Sequence, residues 1–225
     1  MIRRGNEKNN VLMVTDLDEV LTLIGPPWYE RLRGSRVIER YFGTLQELSP
    51  QQVCSRERYY ISEWLGRGSA VPLDVREEIM SVYTDPTFYE RCELTAFGRA
   101  VDALAAMPFC EKIHIVSRTI PGTEQAKADF VERNFRNAHL INLVMVHPST
   151  PKSHFVKDVD WTVFIDDSPS EVIDIVTNTD SVGKEIMIPR MGYNYPTPGR
   201  LAELTESLSL QLCYYSVFEE PEEGG

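Results

Sequence analysis

Residues 11–21 read VLMVTDLDEVL, and this stretch decides the fold. An apolar run at residues 11–14 is followed by two aspartates, Asp16 and Asp18, which are separated by one residue. A short apolar run that stops at polar residues predicts a buried parallel strand. Residues two apart in an extended chain point to the same side, and α/β proteins bind ligands beyond the carboxyl ends of their strands. Asp16 and Asp18 are therefore candidate site residues.

Four further apolar runs have the same form, and helix-like stretches alternate with them. The runs cover residues 113–116, 140–146, 162–165 and 185–188, and the helix-like stretches cover residues 95–107, 123–136 and 170–177. Alternating strands and helices predict an α/β fold, a doubly wound (Rossmann-like) parallel sheet.

A long segment separates the first two predicted strands. It has roughly 100 residues, where one strand–helix–strand unit needs about 30. Residues 25–91 show helical patterning at 37–42, 55–65 and 73–82, and they predict a small helical cap inserted after the first strand. The α/β core then comprises residues 1–24 and 92–215, and residues 216–225 are expected to form an acidic, disordered tail.

Composition narrows the possible partners. The 225 residues include 23 Lys and Arg against 34 Asp and Glu, a net charge of −11, so binding to a nucleic acid polymer is not expected. No apolar run is long enough for a signal peptide or a membrane span, which predicts no membrane partner. The four cysteines lack metal-site or redox spacing and are expected to be buried free thiols in a cytoplasmic protein; they are Cys54, Cys92, Cys110 and Cys213. The oligomeric state stays open.

More chemistry-bearing residues follow the other predicted strands. Asp166 and Asp167 come directly after the run at 162–165, so up to four carboxylates would share one crevice. Such charges repel unless a cation neutralises them, and Mg²⁺ is the simplest hard ion for oxygen ligands. Ser117 adds a hydroxyl and Lys152 a positive charge. This set suits phosphoryl transfer, where positioning and charge neutralisation provide most of the catalysis.

In this order the residues resemble the four motifs of the haloacid dehalogenase-like (HAD) superfamily of aspartate-nucleophile phosphatases. The motifs are LMVTDLDEV at residues 12–20, IHIVS at residues 113–117, an isolated lysine at Lys152, and VFIDD at residues 163–167. The ordered combination is far more specific than any single motif. Lys157 competes with Lys152 for the third motif, and Lys152 is preferred because it opens a predicted helix after a proline.

The resemblance implies a role for each catalytic residue. Asp16 would attack phosphorus and form an aspartyl-phosphate, and Asp18 would protonate the leaving oxygen and then activate water. Ser117 and Lys152 would hold the phosphoryl oxygens, and Arg118 is a further candidate for substrate binding. An aspartate at both positions 16 and 18 favours hydrolysis of phosphate esters over dehalogenation.

The resemblance also implies a Mg²⁺ cofactor. The ion would be held by the carboxylates of Asp16 and Asp166, by the backbone carbonyl of Asp18, and by Asp167 directly or through water. A signalling receiver domain assembles similar groups, but there the acidic pair lies on the first strand and the lysine follows it. Here the pair follows the lysine.

The helical insertion and the run FIDDSP at residues 164–169 look most like the 5′(3′)-deoxyribonucleotidase group. That likeness implies a (deoxy)nucleoside monophosphate as the small phosphorylated substrate. Those enzymes usually carry Gly where this chain has Glu19. A phosphatase for another metabolite such as a sugar phosphate, and a catalytically silent ligand-binding relative, are the alternatives.

Overall fold

The computed structural model describes residues 10–67, 70–108, 110, 112–181, 183–195, 197–208 and 210–218. Its six strands are β1 (Asn10–Thr15), β2 (Ile113–Arg118), β3 (Ile141–Val146), β4 (Asp160–Ile165), β5 (Glu185–Pro189) and β6 (Gln211–Tyr215). They form one sheet in the order β3-β2-β1-β4-β5-β6, and every neighbouring pair is parallel. The predicted α/β parallel sheet is confirmed, and β6 extends it by a strand that the sequence pattern did not predict.

The described helices lie between the strands. Five precede β2 in the insertion: α1 (Gly25–Arg33), α2 (Arg36–Phe42), α3 (Pro50–Cys54), α4 (Ile61–Leu65) and α5 (Leu73–Thr84). The others are α6 (Ala96–Ala105), α7 (Glu124–Asn134), α8 (Ser153–Val156), α9 (Pro169–Asn178) and α10 (Gly199–Ser207), and short 3₁₀ turns cover Phe88–Arg91 and Ala138–Leu140.

One predicted helix is wrong over its first half. The pattern at residues 55–65 predicted a single helix, but α3 ends at Cys54 and α4 begins only at Ile61. The side chain of Arg56 turns inward, where its Nη1 donates to the carbonyl of Val53 at 3.2 Å. Residues 55–60 therefore form an irregular loop around a buried guanidinium.

Alternate residues of the strands bury their side chains on opposite faces of the sheet. Met13 and Ile115 belong to one hydrophobic cluster, whereas Val14 and Phe164 belong to the other. With apolar residues on both faces, β1 has the near-continuous apolar sequence typical of a central parallel strand.

The insertion packs on one face of this sheet. Its Trp28, Leu32 and Ile79 join the same cluster as Met13, and Trp28 Nε1 donates to the carbonyl of Ile79 at 2.9 Å. The core and cap limits, 1–24, 25–91 and 92–215, stay a prediction, because the apolar side chains of the insertion and of the sheet form one continuous cluster.

The packed chain continues past the predicted start of the acidic tail. Val217 is only 3% exposed and packs with Cys54 and Met191, so a disordered tail beginning at residue 216 is wrong at its boundary. The remaining residues of that prediction, 219–225, lie outside the described residues.

All four cysteines are free, with Cys54 and Cys92 buried and Cys110 and Cys213 half-buried. Among the helices that the structure describes, none combines the length and apolar character needed to cross a membrane, and the longest, α5, has 12 residues.

The sheet order reverses between β1 and β4. The chain after β1 returns to β2 on one side, and β4 is added on the other side. Ligands of doubly wound folds bind at such a switch point. Thr15 pairs with Ile165, so Asp16 and Asp166 begin at the same level of the sheet, at its carboxyl edge.

Candidate active site

Asp16 is fixed at the end of β1 by its own backbone. Its N–H donates to the carbonyl of Ile165 at 2.9 Å, which keeps the chain beside β4 for one residue beyond the strand. Its Oδ1 accepts from the N–H of Leu17 at 2.7 Å. Its side chain is 12% exposed and lines a cavity, so the carboxylate is oriented and accessible at the same time.

Lys152 joins the ends of β1 and β4. Its Nζ lies 2.9 Å from Asp16 Oδ2 and 2.7 Å from Asp166 Oδ2, and its side chain is 1% exposed. Burial by itself lowers the pKa of Lys152, but the charges of Asp16 and Asp166 raise it above the ordinary value, so the ammonium stays charged. Lys157 is exposed at the end of α8. Of the two lysines, it is Lys152 that the structure places beside the carboxylates.

Three of the predicted metal ligands come together. Asp16, Asp166 and Asp167 each offer a carboxylate oxygen, and these three oxygens lie within 4.8 Å of one another. Burial raises the pKa of Asp166 to about 7, and burial together with the charges of Asp166 and Asp16 raises the pKa of Asp167 well above its usual range. One lysine does not balance three clustered carboxylates, so this all-oxygen donor set fits a hard divalent cation.

The pair at the end of β4 is held by its surroundings. Asp166 Oδ1 accepts from the N–H of Ser168 at 2.9 Å. Tyr193 donates its hydroxyl proton to Asp167 Oδ2, and Asn194 Nδ2 donates to the carbonyl of Asp167 at 2.9 Å. The first two contacts orient the two carboxylates, and the third holds the backbone at Asp167.

The side chain of Asp18 lies outside this carboxylate cluster. It accepts from the hydroxyl of Tyr89 at 2.9 and 3.1 Å and from Lys127 Nζ at 2.6 Å. If Asp18 helps to hold a cation, only its backbone carbonyl is left for that task, as the resemblance implies. Its carboxylate contacts Tyr89 and Lys127 instead of the other aspartates, so it is available for a role other than metal binding.

Lys127 is a site residue that the sequence analysis missed. Its Nζ contacts Asp18 and also donates to Ser117 Oγ at 2.8 Å, and its side chain is 3% exposed. A signal was present, because Lys127 lies three and four residues before Phe130 and Val131, on the buried face of α7. A lysine within an apolar helical stripe needs a buried partner.

Ser117 lies behind Lys127. The serine is fully buried, and its hydroxyl accepts from the lysine. It is not among the residues that line the cavity, whereas Lys127 is. The structure therefore brings Ser117 to the site indirectly, through the ammonium that separates it from the cavity.

Arg118 does not present a free guanidinium. It forms an ion pair with Glu171 at 2.7 Å and donates to the carbonyls of Pro148 and Thr150, the latter at 3.0 Å. Arg118 lines the cavity, so its role in substrate binding stays a prediction, although these protein groups already engage much of its guanidinium. Its contacts fix the loop that leads into Lys152.

The cavity has a volume of about 680 Å³. Asp16, Asp18, Lys127 and Lys152 lie on its floor, and aromatic side chains of the insertion contribute to its wall; these are Trp28, Tyr59, Tyr60 and Tyr83. A pocket of this size suits a small metabolite.

A buried ion pair connects the edge of the sheet to the insertion. Arg56 Nη2 lies 3.0 Å from Glu19 Oε1, and both side chains are at most 6% exposed. Burial raises the pKa of Glu19, and the charge of Arg56 opposes that shift. The guanidinium also lies 4.9 Å from the ring centre of Tyr193, whose hydroxyl holds Asp167.

Solved structures similar to this chain include one assigned as a beta-phosphoglucomutase from Thermotoga maritima, with TM-score 0.50 and 14% identity over 92% of this chain and 94% of that one. A second is a HAD-superfamily hydrolase of subfamily IA from Geobacter sulfurreducens, with TM-score 0.48 and 14% identity over 91% of this chain and 99% of that one. A third is a protein assigned as a haloacid dehalogenase-like hydrolase from Burkholderia xenovorans, with TM-score 0.47 and 15% identity over 93% of this chain and 96% of that one.

The likeness to the Thermotoga structure shows a shared fold, and none of these three proteins is described as a nucleotidase. No protein-family model and no curated protein matches the sequence.

Proposed function

We propose that this protein is a Mg²⁺-dependent phosphomonoester hydrolase of the haloacid dehalogenase type, with Asp16 as its nucleophile. The arrangement around Asp16 carries the proposal. Its carboxylate lines the cavity, contacts the buried ammonium of Lys152 at 2.9 Å, and belongs to a cluster with Asp166 and Asp167. A clustered carboxylate beside a fixed cation is the chemistry that phosphoryl transfer needs.

In the first step, a carboxylate oxygen of Asp16 forms a bond to phosphorus while the bond from phosphorus to the leaving oxygen breaks. The N–H of Leu17 and the ammonium of Lys152 hold this carboxylate in place. Asp18 gives its proton to the leaving oxygen. In the second step, Asp18 takes a proton from the water that attacks phosphorus, and the bond to Asp16 breaks.

Positive charge around the phosphoryl group comes from the two lysines of the floor. Lys152 offsets charge near the nucleophile, and Lys127 does so beside Asp18. A Mg²⁺ ion held by Asp16, Asp166 and Asp167 would supply further charge neutralisation.

Two substrate classes fit a cavity of about 680 Å³. A nucleoside monophosphate is supported by the aromatic wall, because stacking on such rings contributes about 1–3 kcal/mol per base. A sugar phosphate is supported by the carboxylates of Glu19 and Glu171, which line the same cavity. Both classes are small phosphate monoesters whose leaving group is an alcohol, and the proposed reaction is the same for either.

The test is phosphate release from a panel of nucleoside 5′- and 3′-monophosphates, sugar phosphates and 4-nitrophenyl phosphate, with Mg²⁺ or with EDTA. We expect Mg²⁺-dependent turnover that Asp16→Asn abolishes. Turnover that persists in Asp16→Asn would refute the assigned nucleophile. If the folded wild-type protein releases no phosphate from any substrate, the catalytically silent alternative replaces the proposal.

A further inference from the structure

Two glutamates on the cavity wall share an unusual arrangement. Glu19 Oε1 is paired with Arg56, and Glu171 Oε1 is paired with Arg118, at 3.0 and 2.7 Å. In both glutamates the second oxygen, Oε2, is buried and has no hydrogen-bond partner among the residues that the structure describes. Both residues line the cavity that holds Asp16 and Asp18.

These oxygens stand out in the part of the chain that the structure describes. Four buried side-chain polar atoms there lack a partner: Glu19 Oε2, Glu171 Oε2, Trp161 Nε1 and Tyr215 OH. Neither Trp161 nor Tyr215 lines this cavity. A buried acceptor without a donor is unfavourable, and such groups in native proteins call for an explanation such as a missing ligand.

The backbone and its neighbours make room for Glu19. Its φ of 59° lies in the left-handed region, which glycine adopts without strain and glutamate does not. A Cβ on Gly25 would come within 2.6 Å of Glu19 Oε1 and 2.9 Å of Arg56 Nη1. The chain thus keeps a strained glutamate next to Asp18, and strain of this kind is concentrated at functional sites.

The chemistry of the two glutamates specifies what they bind. Each is a carboxylate whose charge an arginine already balances. Such a group offers an acceptor oxygen without a net charge, so it matches a neutral donor better than an ammonium group. Hydroxyl groups are neutral donors, and a polyol leaving group carries several of them.

We propose that Glu19 and Glu171 are specificity-determining residues that accept hydrogen bonds from hydroxyl groups of the leaving group, and that the substrate is a phosphate monoester of a sugar or another polyol. This inference rests on the proposed phosphatase function. Glu19 adjoins Asp18, which serves the leaving oxygen, and Glu171 lies in the first turn of α9, the helix that follows the Asp166 and Asp167 pair.

The test compares matched phosphates with and without hydroxyl groups: glucose 6-phosphate with hexyl phosphate, ribose 5-phosphate with pentyl phosphate, and glycerol 1-phosphate with propyl phosphate. We expect wild-type kcat/KM to favour the hydroxylated member of at least one pair by about tenfold, since one hydrogen bond to an ion-paired carboxylate contributes about that much. Glu19→Gln and Glu171→Gln should each lower this ratio by about fivefold or more.

Glutamine is chosen because its amide oxygen can still accept from the arginine, while its NH₂ group replaces the free acceptor. Tyr215→Phe is the matched control, because it removes an unpartnered buried polar atom away from the cavity and should leave the ratio unchanged. The inference is overturned if both glutamine variants keep the wild-type ratio, or if ethanolamine phosphate is preferred to every polyol phosphate.

If the wild-type protein hydrolyses none of these phosphates, a calorimetric titration with Mg²⁺ measures the preference through binding alone. If the wild-type protein releases no phosphate even from 4-nitrophenyl phosphate, the proposed function fails, and the titration still decides this inference. Binding that favours the hydroxylated phosphates in the wild-type protein but not in the glutamine variants supports it, and equal binding of both members of every pair overturns it.

Discussion

The carboxyl edge of the sheet and the insertion meet at the same cavity, but they differ in what they contribute. The edge contributes charged groups that are nearly inaccessible, such as Lys152 at 1% exposure. The insertion contributes aromatic rings, and Tyr59 and Tyr60 remain 41% and 59% exposed. We expect the oriented charged groups at the edge of the sheet to carry the chemistry, and the exposed rings of the insertion to contact the substrate.

Two contacts cross between these regions. Tyr89 of the insertion donates to Asp18, and Arg56 pairs with Glu19. Both join the insertion to the loop that follows β1. This difference predicts that variants of Asp18, Lys127 and Lys152 lower kcat for every substrate, whereas insertion variants away from these two contacts change KM.

The largest effect is expected at Lys152. Lys152→Met leaves Asp16 and Asp166 without their shared counter-charge, and breaking a buried ion pair from one side costs about 3–5 kcal/mol. Activity should fall by about 10³-fold and the free energy of unfolding by about 3 kcal/mol, which urea denaturation measures. The exposed Lys157→Met is the matched control and should change neither quantity. A larger loss in the Lys157 variant would reverse the assignment of the third motif.

Lys127→Met should have the next largest effect. The variant removes the cation that contacts Asp18 at 2.6 Å and Ser117 at 2.8 Å. We expect kcat to fall by about 10²-fold for nucleotides, sugar phosphates and aryl phosphates alike. A change confined to KM would show that Lys127 acts in substrate binding, and it would contradict the difference between the edge and the insertion.

The sequence was sufficient to locate the residues at strand ends. Asp16 and Asp166 follow predicted parallel strands, and parallel strands end at a common edge of the sheet. The proximity of these two aspartates could therefore be predicted without the tertiary structure. Lys127 and Asp18 lie 109 positions apart, and only the packing of α7 brings them together. The hydrophobic pattern of α7 could have indicated that Lys127 is buried, but it could not have identified Asp18 as the partner of its ammonium group.

The contacts of Arg118 and Arg56 could not be predicted from the sequence for a related reason. A guanidinium at a strand end looks ready for a phosphate, and the sequence does not reveal that Glu171 and the carbonyl of Thr150 already occupy it. The helical pattern at residues 55–65 likewise gave no warning that Arg56 turns inward to Glu19. Contacts between side chains that are distant in the sequence decide where an arginine points, and hydrophobic periodicity does not reveal these contacts.

The stability of the metal-free protein should depend on pH in a defined direction. The pKa of Asp166 in the folded protein is about 7 and that of Asp167 is also raised, whereas an unfolded aspartate has a pKa of about 3.9. The folded state then binds more protons than the unfolded state between these values, so this contribution to stability is present at low pH and is lost as pH rises towards 7.

The check is thermal unfolding in EDTA and in Mg²⁺ at pH 5 and pH 8. Because Mg²⁺ favours the ionised carboxylates, we expect it to raise Tm by about 5 °C more at pH 8 than at pH 5. Asp167→Asn should shrink that difference. An equal Mg²⁺ effect at both pH values would contradict the raised pKa values of the pair.

The smallest effect is expected in the insertion. Tyr60→Ala removes an exposed ring from the cavity wall and should raise KM by about fivefold at unchanged kcat, since partly exposed aromatic contacts contribute about 1 kcal/mol. Tyr41 is 48% exposed and does not line the cavity, so Tyr41→Ala is the matched control. Steady-state kinetics on the preferred substrate give both constants. A fall in kcat without a change in KM would remove the distinction between the two regions.

The most direct test of Asp16 as the nucleophile is to trap the covalent aspartyl-phosphate. Asp18→Asn slows the attack of water on an aspartyl-phosphate, so the variant is mixed with 4-nitrophenyl phosphate and Mg²⁺, quenched, and reduced with borohydride before peptide mapping. Reduction converts a phosphorylated aspartate to homoserine. We expect homoserine at position 16 and no conversion when EDTA replaces Mg²⁺. Conversion at another aspartate, or an unmodified Asp16 in a sample that has released 4-nitrophenol, would contradict it.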